Sequence, residues 1–439
     1  MKRAVVLGAT ILAVTFGVPH LGAPPRADAA SFAPTPVIDW STEARRAIVP
    51  AGPGGIFGPE NYGNKFPGEA AIYMGIVHVA IYDAAVAVEG GYEPYAGHVT
   101  APADTSAAAA VATAAHGALI GLQPALGLTP AQQATLDGDY TSYLAGIPEG
   151  AAKANGVAVG QQVAAAVLAL RQNDGREKNP ALGNLDPPPP GPGVWEPDPT
   201  RPVLGLRIPG IRPLALTSAS QFRPDGPNAL TSDEYTEDFD QVASLGRSDS
   251  LTRTDAQTVD ALFWTDHDIR QWNDGMLRLA LDDGLDLVQT ARMLAMAHVS
   301  GGDAMIACFD AKYHYWSWRP DHAIPQAGTD GNPATQPDPS WQPLRPTPNF
   351  PEYPSAHACH SSAVATALQA FFGTDKTDLT LDSRVTGTTR RYGSFHDVVK
   401  DVDLARVLAG FHFRNSDLEG ASLGRTVGRY VTENLFRPV

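Results

Sequence analysis

Lys312 and Arg319 stand seven positions apart in Lys312-Tyr-His-Tyr-Trp-Ser-Trp-Arg319-Pro320, in a chain where 32 basic residues face 47 acidic ones. On a helix seven residues make nearly two turns, so the two cations share a face, roughly 10 Å apart along the axis. Pro320 disfavours helix at Arg319 and places that residue at a helix end. An arginine fork and a lysine point charge aimed at one spot suit a tetrahedral oxyanion. A solvated basic face whose aromatic neighbours pack the core is the competing reading.

Two further clusters can do chemistry. In Pro351-Glu-Tyr-Pro354-Ser355-Ala356-His357-Ala358-Cys359, Pro354 sets the entry and Ser355 can cap a helix beginning at Ala356. A helix start offers free amides to an anion, with a hydroxyl and His357 beside it. Taken alone, those residues read more often as an ordinary cap with an exposed histidine, because caps are far commoner than sites. In Ala405-Arg406-Val-Leu-Ala-Gly410-Phe-His412, six residues of helix rotate by about 240°, so Arg406 and His412 do not share a face. They meet only where the helix bends or ends near Gly410, or where they approach from two directions. Otherwise they are a structural arginine beside a core or surface histidine.

Helices must position these clusters. Apolar spacing predicts them over Ala70–Val88, after Thr129-Pro130, over Ala151–Leu170, and over Leu285–Cys308, His357–Phe372 and Leu418–Leu435. Thr231-x-x-Glu234 and Thr252-x-x-Asp255 resemble capping boxes opening two more. Alternating strand patterns are scarce. Asn179–Pro227 is proline-rich and reads as an extended surface connection; Pro325–Pro354 is a second irregular stretch. The chain divides into a leader (1–30), an N-terminal helical part (31–180), a Pro-rich connection (181–230) and a C-terminal helical part with the clusters (231–439).

Composition narrows the function. A net charge of −15 excludes nucleic-acid binding over a broad basic face. Two cysteines exclude a disulfide scaffold and any Cys-rich metal site. Lys2 and Arg3, the apolar run Ala4–Val18 and Ala27-Asp28-Ala29 form a secretory signal, cleaved near Ala29 or Ala30. The mature protein is expected to be secreted, extracellular or periplasmic. No second apolar run of spanning length, and hence no membrane span, is expected; Ala107–Leu122 carries His116 and reads as a packed helix.

Taken in order, Lys-x6-Arg-Pro, Pro-Ser-x-His and Arg-x5-His resemble the signature of the vanadium-dependent haloperoxidases and of the type 2 phosphatidic acid phosphatases that share their fold. The likeness is strongest over residues 300–424. Weaker echoes at Met74–Asp83, Gln221–Gly246 and Ala334–Pro354 look more like the secreted bacterial haloperoxidase branch. The resemblance implies a mainly α fold: two packed helical bundles forming one haloperoxidase-like body with long Pro-rich loops. It implies one vanadate per chain, its oxygens bound by Lys312, Arg319, Arg406, the Ser355 hydroxyl and the Ala356 amide. His357 would be the general acid/base, His412 the ligand to vanadium, and Lys312 would also act in catalysis by polarising the peroxide. Hydrogen peroxide, a halide and a small organic acceptor would be the partners, and a hypohalous acid equivalent the product. An acid phosphatase with His412 as nucleophile, needing no cofactor, is the alternative; a non-catalytic oxyanion-binding protein is another.

Three positions depart from the pattern. Ala356 replaces the usual glycine, and Ala405 a frequent serine. Ser416 stands where the phosphatases have an aspartate, with Asp417 next. Cys308 and Cys359 flank converging motifs in an exported protein, so a disulfide bracing the site is expected, with two buried thiols as the other possibility. Tyr313, Tyr315, Trp316 and Trp318 read mostly as core, with one or two able to line a halide or substrate pocket, and His360 is expected to share a helix face with His357. His78 and Asp83 read as core residues, and Asp266-His267-Asp268 as a solvated loop or helix cap.

Overall fold

The computed structural model describes residues 34–439, so the leader expected over 1–30 lies outside the described residues. The helices are α1 (Thr35–Ile48), α2 (Pro67–Glu89), α3 (Ala107–Gly121), α4 (Gln123–Leu126), α5 (Pro130–Ala145) and α6 (Ala151–Leu170). After a long connection come α7 (Asp233–Leu245), α8 (Asp255–Phe263), α9 (Asp268–Asp282), α10 (Leu287–Tyr315), α11 (Pro320–Ala323) and α12 (Ala356–Phe372). A hairpin, β1 (Lys376–Ser383) and β2 (Thr388–Ser394), precedes α13 (Phe395–Leu408) and α14 (Arg414–Asn434). The fold is mainly α, as expected.

Local signals open most helices. Pro67 and Pro130 sit in the first turn of α2 and α5, where a missing N–H leaves nothing unbonded. Thr129 and Gln132 close a full capping box. Two caps fall later than expected. Ser232, not Thr231, accepts the Tyr235 amide at the start of α7, and Thr254, not Thr252, caps α8 with Gln257. The buried face of each helix sets its phase, and the nearest competent hydroxyl then caps it.

Two helical groups share one spine. α2 packs against α1, α3 and α6; α12 packs against α13 and α14; α10 lies between, touching α2 on one side and α12 and α14 on the other. Gly301 permits that approach, since a Cβ there would come within 2.7 Å of His360 Cδ2 on α12. α2 is itself long and apolar enough to cross a membrane, which corrects the expectation that no such run follows the leader. In this fold 89% of its apolar window is buried, so it serves as a core helix.

The hairpin was not foreseen. β1 pairs antiparallel with β2, Leu379 opposite Tyr392, and buries Leu379 and Leu381 against α9. The Asn179–Pro227 connection holds only two short 3-10 turns, at Leu182–Leu185 and Ile208–Gly210. It is not purely a surface run, however. Trp195, Ile208 and Ile211 are buried, and Asp303 of α10 accepts the Leu214, Ala215 and Leu216 amides at 2.6, 2.7 and 2.8 Å. Burying an extended segment requires such partners for its amides.

Candidate active site

α10 carries Lys312 in its last turn and stops at Tyr315, because Trp316 adopts a left-handed φ of 52°. Arg319 lies beyond, in extended backbone before Pro320. The two cations therefore do not share a helix face, contrary to the spacing argument. The Phe350 ring gathers them instead: Lys312 Nζ lies 5.1 Å and Arg319 Cζ 4.9 Å from its centroid.

Arg406 occupies the last turn of α13. Gly410, at φ 76°, ends that run, and a Cβ there would meet the Gly246 carbonyl at 2.5 Å. His412 follows in the link to α14, so the pair converges through a helix end near Gly410. Ser355 is the N-cap of α12, yet its hydroxyl makes no capping bond and faces the Asp417 carboxyl. Ala356 begins the helix with a negative φ, so its methyl replaces the usual glycine without backbone strain.

The site is dry and cationic. Lys312, Arg319, Ser355, Arg406 and His412 are each buried. Burial pulls Lys312 down to about 8 and Arg319 and Arg406 to about 10. Burial and the Arg406 charge bring His357 to about 3. Burial, then Arg319, Lys312, Arg406 and His357, hold His412 well below the usual imidazole value. Both imidazoles are thus neutral with lone pairs available. Contacts gather the nest: Lys312 reaches the Glu352 and Pro354 carbonyls, Arg319 the Phe411 carbonyl, Arg406 the Phe411 ring, and the Glu352 carboxylate holds His412.

Their donors are unequally used. Lys312 Nζ donates to the carbonyls of Pro351 at 3.1 Å, Glu352 at 2.8 Å and Pro354 at 2.5 Å, which uses all of an ammonium's protons. Lys312 thus braces the loop before Ser355 and gives the site its charge, which corrects the expectation that it binds the oxyanion's oxygens directly, because no proton is left for them. Arg319 donates to the Phe350 and Phe411 carbonyls, both at 2.9 Å, but its Nη2 is buried without a partner. Arg406 donates to the Trp264 carbonyl at 2.6 Å and leaves Nε unpartnered. His357 Nε2 is also buried and unpartnered. Orphaned charged donors are costly, and an oxyanion in the nest would accept from them.

Carboxylates were the missed part. Glu352 is buried between Lys312, Arg319 and His412; burial raises it to about 7, against the Ser416 hydrogen bond and the two cations. Its Oε1 accepts from His412 Nδ1 at 2.8 Å. The signal lay in the Pro-Glu-Tyr-Pro stretch itself, a single acid inside an apolar run. Asp266, His267 and Asp268 are buried, not a solvated loop, although His267 does stand at the N-cap of α9. Asp266 pairs with Arg270 at 2.7 Å, and Asp268 Oδ2 lies 3.0 Å from His360 Nδ1. The expected Cys308–Cys359 disulfide is absent: both are free, buried thiols set side by side, and Cys308 Sγ donates to the Pro354 carbonyl at 3.5 Å. Trp318 joins Tyr235, Tyr353 and Phe413 around an apolar cavity of about 260 Å³ whose wall includes Glu352 and Ser416.

Residues 292–439 match the family model of the VCPO second helical-bundle domain. No curated protein matches the chain. Among solved structures, that of the first bacterial vanadium-dependent iodoperoxidase aligns with a TM-score of 0.71 at 23% identity, over 94% of this chain and 99% of that one. An apo-type bacterial vanadium-dependent chloroperoxidase aligns at 0.66 and 16% identity, over 84% and 95% of the two chains. A holo-type one aligns at 0.66 and 16%, over 89% and 94%.

Proposed function

We propose that this chain, which has the vanadium-dependent haloperoxidase fold, is an exported vanadate-dependent haloperoxidase that uses hydrogen peroxide to oxidise a halide. The observation that carries the reading is the convergence of Lys312, Arg319 and Arg406 on two neutral histidines, with buried donors left open on Arg319 and Arg406 and an unpartnered Nε2 on His357. That donor set fits a compact oxyanion of high charge.

Arg319 Nη2, Arg406 Nε, the Ser355 hydroxyl and the Ala356 amide would hold vanadate oxygens, Lys312 would offset charge, and His412 Nε2 would supply the ligand lone pair. Bound vanadate supplies a Lewis-acidic centre that activates peroxide towards a halide. His357 exchanges a proton with peroxide at Nε2, since its imidazole is neutral and open there. The dry walls exclude bulk water and strengthen each charged contact. The Trp318 cavity would admit a small apolar acceptor.

Incubation with vanadate, dialysis, and assay for peroxide-dependent bromide and iodide oxidation tests this. Retained vanadium with halogenating turnover is expected; absence of both overturns it. The His412–Glu352 contact also suits a histidine nucleophile. Hydrolysis of an aryl phosphate, blocked by vanadate, would favour the phosphatase reading. Anion binding with neither turnover would leave a binding protein.

A further inference from the structure

We propose that Glu352 is the positioning residue for His412: its carboxylate holds the proton on Nδ1 and so turns a bare Nε2 towards the oxyanion. This rests on the reading of His412 as the group that meets the oxyanion. The position four residues after His412, Ser416, cannot serve as a carboxylate. Glu352 reaches the same imidazole from a loop 60 residues earlier.

The contacts form a closed set. Oε1 accepts from His412 Nδ1 at 2.8 Å and from the Phe413 amide at 3.1 Å. Oε2 accepts from the Ser416 hydroxyl at 2.6 Å. The Glu352 backbone is held at both ends, its amide donating to the Ser317 carbonyl at 2.9 Å and its carbonyl accepting from Lys312 at 2.8 Å. A carboxylate that accepts from donors on both oxygens leaves the imidazole nitrogen as a donor, and a ring nitrogen that donates carries the proton. The other nitrogen then keeps its lone pair. Such outer contacts set the tautomer and orientation of histidine ligands and typically change metal affinity 10–100-fold.

A purely electrostatic role would have the opposite sign. A carboxylate beside an anion site repels the anion, so its removal would tighten binding. Positioning predicts that E352A weakens binding although it removes a negative charge. E352Q keeps an acceptor for Nδ1–H and a donor for Ser416, and should stay closer to wild type.

The first measurement is the ¹⁵N shifts of the His412 ring in vanadate-free protein. Nδ1 is expected to be protonated and Nε2 bare in wild type and E352Q, with Nε2 protonation gained in E352A. The second is vanadate affinity by equilibrium dialysis, with inorganic phosphate as a parallel probe. The expected order is wild type, E352Q, S416A, E352A, spanning roughly 10–100-fold. Protonated Nε2 in the wild type, or an E352A protein binding either anion as tightly as wild type, overturns the proposal. If E352A does not fold by circular dichroism, the wild-type tautomer and the E352Q and S416A affinities decide. If wild type binds no vanadate, the haloperoxidase reading fails while the ring tautomer still decides the role of Glu352.

Discussion

Two buried histidine clusters lie along α10 and differ in kind. In one, His78 and His298 pack with centroids 4.1 Å apart and planes tilted by 30°, and Ser41 and Asn273 complete a polar set at 3.0 Å contacts. In the other, His357 and His412 sit among Lys312, Arg319 and Arg406. Both are dry, and both leave atoms without partners: His298 Nδ1 and Asn273 Nδ2 in the first, Arg319 Nη2, Arg406 Nε and His357 Nε2 in the second. Orphaned atoms therefore do not by themselves mark a site. Converging buried charge does, because desolvated cations without an anion carry a penalty that a bound oxyanion relieves.

The largest expected contrast is between H412A and H298A. H412A should abolish vanadate retention after dialysis while the fold persists. H298A should keep retention and lower the urea midpoint instead. Retention in H412A would dissolve the distinction.

Acid acts on both clusters from the same unfolded-state value, and His78 reads out the core one. Burial lowers His78 from 6.5 to about 4, so the native state excludes a proton that the unfolded chain takes up. Its contribution is complete above pH 6.5, declines as pH falls, and is lost by about pH 4. The total is on the order of 3 kcal/mol. Urea titrations across that window should show this slope in wild type and a flatter one in H78Q.

Anion binding should stabilise only through the charged nest. Vanadate at about 100 times its Kd should add roughly 2.7 kcal/mol to unfolding stability. The gain, read as a rise in Tm, should survive in H78Q and vanish in H412A. Smallest, R406M removes one charged donor and should weaken vanadate binding by about 1.4–2.7 kcal/mol, or roughly 10–100-fold. Unchanged affinity in dialysis would take Arg406 out of the nest.

The motifs that meet at the site were readable because each joins rare residue types at fixed spacing. Most helices were readable from apolar period and capping residues, within a turn at most ends, but α1, α9 and α13 were not, because buried charged residues such as Arg45, Arg270 and Arg406 break their apolar pattern. The hairpin was not: its alternation is brief, and only burial of Leu379 and Leu381 shows which face is inner. The cap positions of α7 and α8 slipped because several hydroxyls compete within two or three residues. Glu352 and Phe350 escaped notice, and Asp268 was read as solvated, for a different cause. Their roles depend on contacts between segments far apart in the chain, such as Glu352 with His412 and Lys312 with the Phe350 ring.

Residue type and local spacing, which act within a turn or two of helix, determined which side chains are chemically able to hold an oxyanion and that the frame is helical. Which carboxylate backs His412, which donors stay open, and whether two cysteines bond were decided only when distant segments packed, since hydrogen bonding and desolvation depend on neighbours in space.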